Sequence, residues 1–218
     1  MRFKDFLLET YPGDFNMEQF LDDCAPYIEA IKGSRAFDLL KHGTKSGPDV
    51  WGIRKHEKRI GPRDSDPRLH DAVNDFFVSE FGWDARTDAL FASSSWIAPK
   101  AYGLIYFVFP VGKFQFLWSP KIEDLWSDVH LLRSAIMKKH KDMSRDEAMT
   151  QAIHDGIELV KNGKWKFNTD LRDAMQMGNE VMLKSLSGKY YLIRTSTDFV
   201  VEFVKELHRR DILTSEHI

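Results

Sequence analysis

The chain has one cysteine, Cys24, among 218 residues. A single thiol excludes an intramolecular disulfide, and a core of this size needs no covalent staple. Cys24 lies in an apolar-periodic segment, which predicts a small buried hydrophobe, not a nucleophile. An excess of one charge is also missing, since 31 Lys and Arg oppose 33 Asp and Glu and leave a net charge of −2. That balance argues against a dedicated nucleic-acid binder, which carries a basic excess or stripe. No apolar run approaches the roughly 18 residues that mark a membrane span. Residues 1–6 carry Asp5 and lack the long apolar stretch of a secretory signal. These absences predict a soluble, cytoplasmic protein with no membrane partner.

Several catalytic signatures are missing as well. GxGxxG and GxxxxGK[ST] do not occur, so neither a Rossmann cofactor site nor a P-loop is supported. G-x-S-x-G is absent, which removes the commonest hydrolase elbow. There is no HExxH or CxxC, and the eight His are scattered, so no metal is expected. No repeat or low-complexity tract interrupts the chain.

What remains is patterned. Asn16 can cap a helix over residues 17–31, with Phe20, Leu21, Cys24, Ile28 and Ile31 on one face, Pro26 bending it and Gly33 stopping it. Residues 43–67, rich in Gly, Pro and charge, read as a long irregular segment of the kind that carries function. Its basic run Arg54-Lys55-His56-Glu57-Lys58-Arg59 reads as a solvated loop or as an attractor of phosphates. Asp66-Pro67 opens a helix that Gly82 ends. Residues 104–109 predict a strand buried on both faces. After Pro110-Val111-Gly112, Phe114, Phe116 and Trp118 alternate as an antiparallel partner for it. Ser119-Pro120 predicts the start of a helix carrying Ile122, Leu125, Trp126, Val129, Leu132 and Ile136. Ser144-Arg145-Asp146-Glu147 is a capping box for another, ending near Gly163. Residues 181–183 and 190–193 predict a hairpin around Ser187-Gly188, and residues 197–210 an amphipathic helix. Helices at the ends and middle, with strands between, predict an α+β fold.

Four segments together carry a resemblance. Leu39-Leu40-Lys41-His42-Gly43-Thr44 is followed by Leu90-Phe91-Ala92-Ser93-Ser94-Ser95, then by Ala101-Tyr102-Gly103, and last by Gly178-Asn179-Glu180-Val181-Met182-Leu183. In this order they resemble the NAD-gripping framework of ADP-ribosyltransferases. The His-Gly-Thr form looks like the group of poly(ADP-ribose) polymerases and diphtheria-type toxins, whereas the Ser motif looks like the arginine-modifying branch. The stretch from Pro62-Arg63-Asp64 to Phe109-Pro110 is similar to bacteriophage-encoded members. A register on Val50-Trp51-Gly52 is the rival to His42, which Leu39 and Leu40 favour.

The resemblance implies split antiparallel β-sheets in one domain over residues 1–218, with N-terminal helices (1–38), an NAD-binding core (39–195), a central helical insertion and a C-terminal helix (196–218). It implies NAD as substrate and a macromolecular acceptor, or water. Glu180 would hold a ribose hydroxyl and stabilise the oxocarbenium-like state of nicotinamide–ribose cleavage. Gly43 would let its backbone reach the nicotinamide carboxamide. By resemblance, His42 would bond the adenosine ribose, Thr44 would make a second ribose contact, and Tyr102 would stack on nicotinamide. Ser93 or Ser94 would steady Glu180. Gly178 stands where many protein-modifying toxins carry Glu or Gln, so the resemblance does not name the acceptor: protein is expected, and nucleic acid is a second possibility. The rival expectation is a degenerate fold in a virion-associated or protein-binding role. If phage-encoded, the enzyme would work in host cytoplasm.

Overall fold

The computed structural model describes residues 15–56, 58 and 66–214. Expectations resting on residues 1–14, 57, 59–65 and 215–218, including Asp5, Arg59 and Pro62-Arg63-Asp64, lie outside the described residues. The fold is mixed α+β, built on two four-stranded antiparallel sheets.

The first sheet has the order β2 (Lys41–Thr44), β5 (Leu104–Pro110), β9 (Lys189–Arg194), β3 (Trp51–Lys55). The second runs β4 (Leu90–Ala92), β8 (Val181–Ser185), β6 (Phe114–Trp118), β7 (Lys166–Phe167). A short parallel pair, β1 (Ser34–Arg35) and β10 (Leu213–Thr214), ties the two ends of the described chain together. The main sheets meet at one point. Lys41 N donates to Ser93 O at 2.7 Å, and Ser93 N donates back to Lys41 O at 3.0 Å.

Alternation along β9 shows how the layers stack, because successive side chains leave a strand on opposite faces. Tyr191 bonds Asp23 through its hydroxyl (2.8 Å), on α1 (Met17–Asp23). Tyr190 faces the other way and donates to Leu183 O in the second sheet (3.1 Å). The outer face of the first sheet is covered by α1, by α2 (Ala25–Ile31) and by α9 (Asp198–Arg209), where Phe20, Phe109, Tyr191 and Phe203 pack edge to face. The second sheet is backed by α3 (Pro67–Phe81), α6 (Leu125–Lys139) and α7 (Arg145–Lys161). They bury Val73, Phe77, Val129 and Val160 against Leu117 and Met182. Short helices α4 (Ala85–Asp88), α5 (Ile97–Lys100) and α8 (Leu171–Met177) complete the molecule.

Several local expectations hold for plain reasons. Asn16 accepts from Gln19 N (3.1 Å), Gly82 ends α3 at φ +66°, and Ser144 with Glu147 makes the reciprocal capping box of α7. Cys24 is fully buried, and burial pushes its thiol far above its usual range.

Others need correction. Residues 17–31 form two helices, because the chain leaves helical geometry at Cys24 and Pro26 sits in the first turn of the second. Residues 43–67 are not wholly irregular: β3 lies within them, an edge strand paired to β9. Arg54 and Lys55 belong to that strand, and Lys58 pairs with Asp84 at 2.6 Å. The segment after Ser119 is a turn, since Ser119 Oγ accepts from Lys121 N and Ile122 N (3.0 and 3.1 Å); the helix starts at Leu125, capped by Asp124.

Two expected hairpins are not hairpins. β6 does not pair with β5, and β8 does not pair with β9; each connection carries the chain from one sheet to the other. The two crossings lock onto each other, because Val111 O accepts from Ser185 Oγ (2.7 Å) and Ser187 Oγ (2.9 Å). Val111 N and Gly112 N donate to Lys189 O and Asp23 O, so the turn after β5 bonds outward. Apolar alternation fixes which face is buried, not which sheet a strand joins.

Candidate active site

The junction of the sheets is flanked by a cavity of about 470 Å³. His42 and Gly43 reach it from β2, Ser93 from the loop after β4, Tyr102 from the turn after α5, and Glu180 from the residue before β8. Thr44 and Ser94 are not among its lining residues. Thr44 Oγ1 accepts from Ser46 N (3.3 Å), and the Ser94 hydroxyl donates to Met175 O. Trp51, the key residue of the rival register, opens the far edge strand, packs against Phe15 at 5.0 Å between ring centroids and is not among the lining residues.

Gly43 has two reasons to be glycine. A Cβ there would sit 1.8 Å from Pro99 O and 2.7 Å from Pro99 C, inside the backbone of α5. The strand parity matters too. Lys41 turns its N–H and C=O toward Ser93, away from β5. Two residues on, Gly43 points its backbone groups off the same free edge.

His42 Nδ1 lies 2.8 Å from Phe91 O. A carbonyl only accepts, so Nδ1 carries the proton in this contact. Ser93 Oγ donates to Gly178 O (2.6 Å) and accepts from Ser95 N (3.0 Å). The two serines therefore hold the end of α8 and the chain entering Glu180, not the carboxylate itself. Gly178 ends α8 at φ +78°, a conformation that disfavours a side chain. Asn179 Nδ2 donates to Ser119 O (2.7 Å), and Glu180 N to Glu123 O (2.8 Å).

Arg86 touches the Glu180 carboxylate, its Nη1 lying 3.2 Å from Oε1. It comes from α4, and its guanidinium lies 4.8 Å from the Phe91 ring centroid. Behind it, Arg86 N donates to Asn74 Oδ1 (2.8 Å), and Asn74 with Thr87 and His70 makes a compact polar cluster. The sequence reading missed Arg86 and His70. The available signal was a lone Arg-Thr pair between Trp83 and Leu90, in a segment whose alanines are fully buried.

A second feature also escaped the sequence reading. Glu123, Asp124 and Asp128 line the cavity at the start of α6. Burial raises the Asp128 carboxyl above its usual value, and the charges of Asp124 and Glu123 raise it further. Asp124 also has a structural task, accepting from Ser127 N at 2.8 Å as the cap of α6.

Lys41 underlies the whole junction. It is fully buried, and its Nζ donates to Phe37 O (2.7 Å), Leu39 O (2.9 Å) and Ser94 O (2.6 Å). Trp96 covers it at 4.8 Å. Burial brings its ammonium down to about 8, and Asp38 opposes the shift in part.

Among the described residues no group of three or more His, Cys, Asp or Glu could hold a metal ion, and no helix is long and apolar enough to cross a membrane. None of the family models, curated proteins and solved structures compared with the chain matches it.

Proposed function

We propose that the protein is an NAD-dependent ADP-ribosyltransferase that cleaves the nicotinamide–ribose bond and passes ADP-ribose to a macromolecule or to water. One observation carries this reading: His42, Gly43, Ser93, Tyr102 and Glu180, picked out by order along the chain, line one cavity. A chance set scattered from β2 to β8 has no reason to converge.

In this reading the free backbone edge of Gly43 receives the nicotinamide carboxamide, and Tyr102 stacks on the ring. Stacking of this kind adds about 0.5–1.5 kcal/mol beyond area burial. His42 Nε2 bonds a ribose hydroxyl. Glu180 faces the ribose at the carbon where positive charge develops. Ser93 keeps Glu180 in place through the Gly178 carbonyl, and neither Ser94 nor Thr44 has a role at the ligand.

Protein is the acceptor that the cavity favours. Glu123, Asp124 and Asp128 on its wall repel a polyanion. Ile97 and Leu131, 83% and 68% exposed, present apolar surface beside them. The test is transfer from NAD labelled in the adenylate to proteins of a cell lysate. Label in protease-sensitive, nuclease-resistant material supports the reading. Nuclease-sensitive label would make the acceptor a nucleic acid, and a protein that neither binds nor cleaves NAD would be a binding protein on a degenerate fold.

A further inference from the structure

Arg86 is the one Lys or Arg among the described residues lining the cavity. Its side chain is 9% exposed, and one face is covered by Phe91. A guanidinium has five N–H donors. Here Nη1 alone is engaged, by a single 3.2 Å contact, and Nε is buried with no hydrogen-bond partner. Well-formed guanidinium–carboxylate pairs are bidentate and shorter, at roughly 2.7–2.9 Å. A buried cation with unmet donors is costly, so its retention in a native site asks for a reason. The Asn74 bond fixes the Arg86 backbone, so engaging a ligand calls for movement of the side chain alone. The anionic surroundings sharpen the point. With Glu123, Asp124, Asp128 and Glu180 on the lining, Arg86 is the one guanidinium among the described lining residues that can compensate a phosphate.

We propose that Arg86 is the anion receptor of this cavity, taking the diphosphate of a nucleotide ligand and releasing Glu180 as it does so. The identity of the nucleotide rests on the NAD reading; the receptor itself rests on the guanidinium. Glu180 pairs with Arg86 in this structure, and a phosphate that competes for that cation loosens this contact and lets the carboxylate turn toward the ribose. Ligand entry and placement of the carboxylate are then one event.

The test is calorimetric titration of ADP-ribose, with adenosine as the control lacking phosphate, into wild type, Arg86→Gln, Arg86→Lys and Glu180→Gln. Arg86→Gln weakens ADP-ribose about tenfold or more and leaves adenosine unchanged; Arg86→Lys keeps an intermediate affinity. Glu180→Gln tightens ADP-ribose several-fold, because the competing carboxylate is gone. A purely structural Arg86 would weaken both ligands alike, and Glu180→Gln would tighten neither. Unchanged ADP-ribose affinity in Arg86→Gln, or weaker affinity in Glu180→Gln, overturns the proposal. Should Arg86→Gln fail to fold, Arg86→Lys and Glu180→Gln carry the test. Arg86-dependent ADP-ribose binding without nicotinamide release from NAD keeps the receptor and overturns the transferase. Release combined with Arg86-independent binding does the reverse.

Discussion

Lys41 Nζ donates to the Ser94 carbonyl at 2.6 Å, across the line where the two sheets meet. The same residue bridges Ser93 through its backbone, so one side chain and one peptide hold the His42 strand against the loop that supports Glu180.

The pH dependence of stability follows from that burial. Lys41 titrates at about 8 when folded, against an ordinary value of about 10.4. Between these values the unfolded chain binds more protons than the folded one. The cost of the buried charge is therefore full below pH 8 and fades as pH rises to about 10.5. Wild type should gain stability relative to Lys41→Met across that window, by on the order of 2–3 kcal/mol. Chemical denaturation of the two proteins at pH 7, 9 and 10.5 checks this, and a constant difference would contradict it.

Gly43→Ala should fail through its backbone. The added methyl meets the Pro99 carbonyl at 1.8 Å, and no side-chain rotation relieves that. The expected loss is about 1–3 kcal/mol of stability, with α5 displaced and NAD binding lost. Thermal unfolding and calorimetry read both. An alanine variant with wild-type stability would show that α5 does not hold the position described.

Much of the cavity lining was legible in the sequence because its residues fall in short contiguous segments. His42 and Gly43 lie within β2 itself, just after the buried Leu39 and Leu40, and Glu180 directly precedes the apolar strand β8. The split into sheets was not derivable from periodicity: the crossings at residues 110–113 and 186–188 look like hairpin turns until Val111, Ser185 and Ser187 bond to one another. Arg86 was hidden for a related reason. Its role depends on a residue 94 positions away, and nothing local to α4 marks it. The sequence does not say which hydroxyl turns to the cavity: Ser94 Oγ bonds Met175 O and Thr44 Oγ1 accepts from Ser46 N, whereas Ser93 lines it.

Asp128→Asn should relieve a repulsion. Its raised pKa means that the charged form is disfavoured in the folded state, so stability from this group is present at low pH and lost as pH rises through the folded value. The substitution should stabilise at neutral pH by a few tenths of a kcal/mol, since Asp128 is partly solvated and screened. The gain should vanish below the carboxylate range. With one less negative charge on the wall, NAD should bind roughly threefold more tightly. Weaker binding would assign Asp128 an attractive role at the ligand.

His42→Ala removes the ring that Phe91 O orients. NAD affinity should fall about tenfold, the value of one good hydrogen bond in a shielded site, with little change in unfolding temperature. Unchanged affinity by calorimetry would exclude the ring from the ligand.

The most direct measurement is free nicotinamide, followed by chromatography, from NAD incubated with wild type and with Glu180→Gln. The account predicts release by wild type and a fall of about a hundredfold or more in the folded variant, as expected for losing the group that stabilises developing charge. Release at the wild-type rate by Glu180→Gln, or none by wild type, would contradict it.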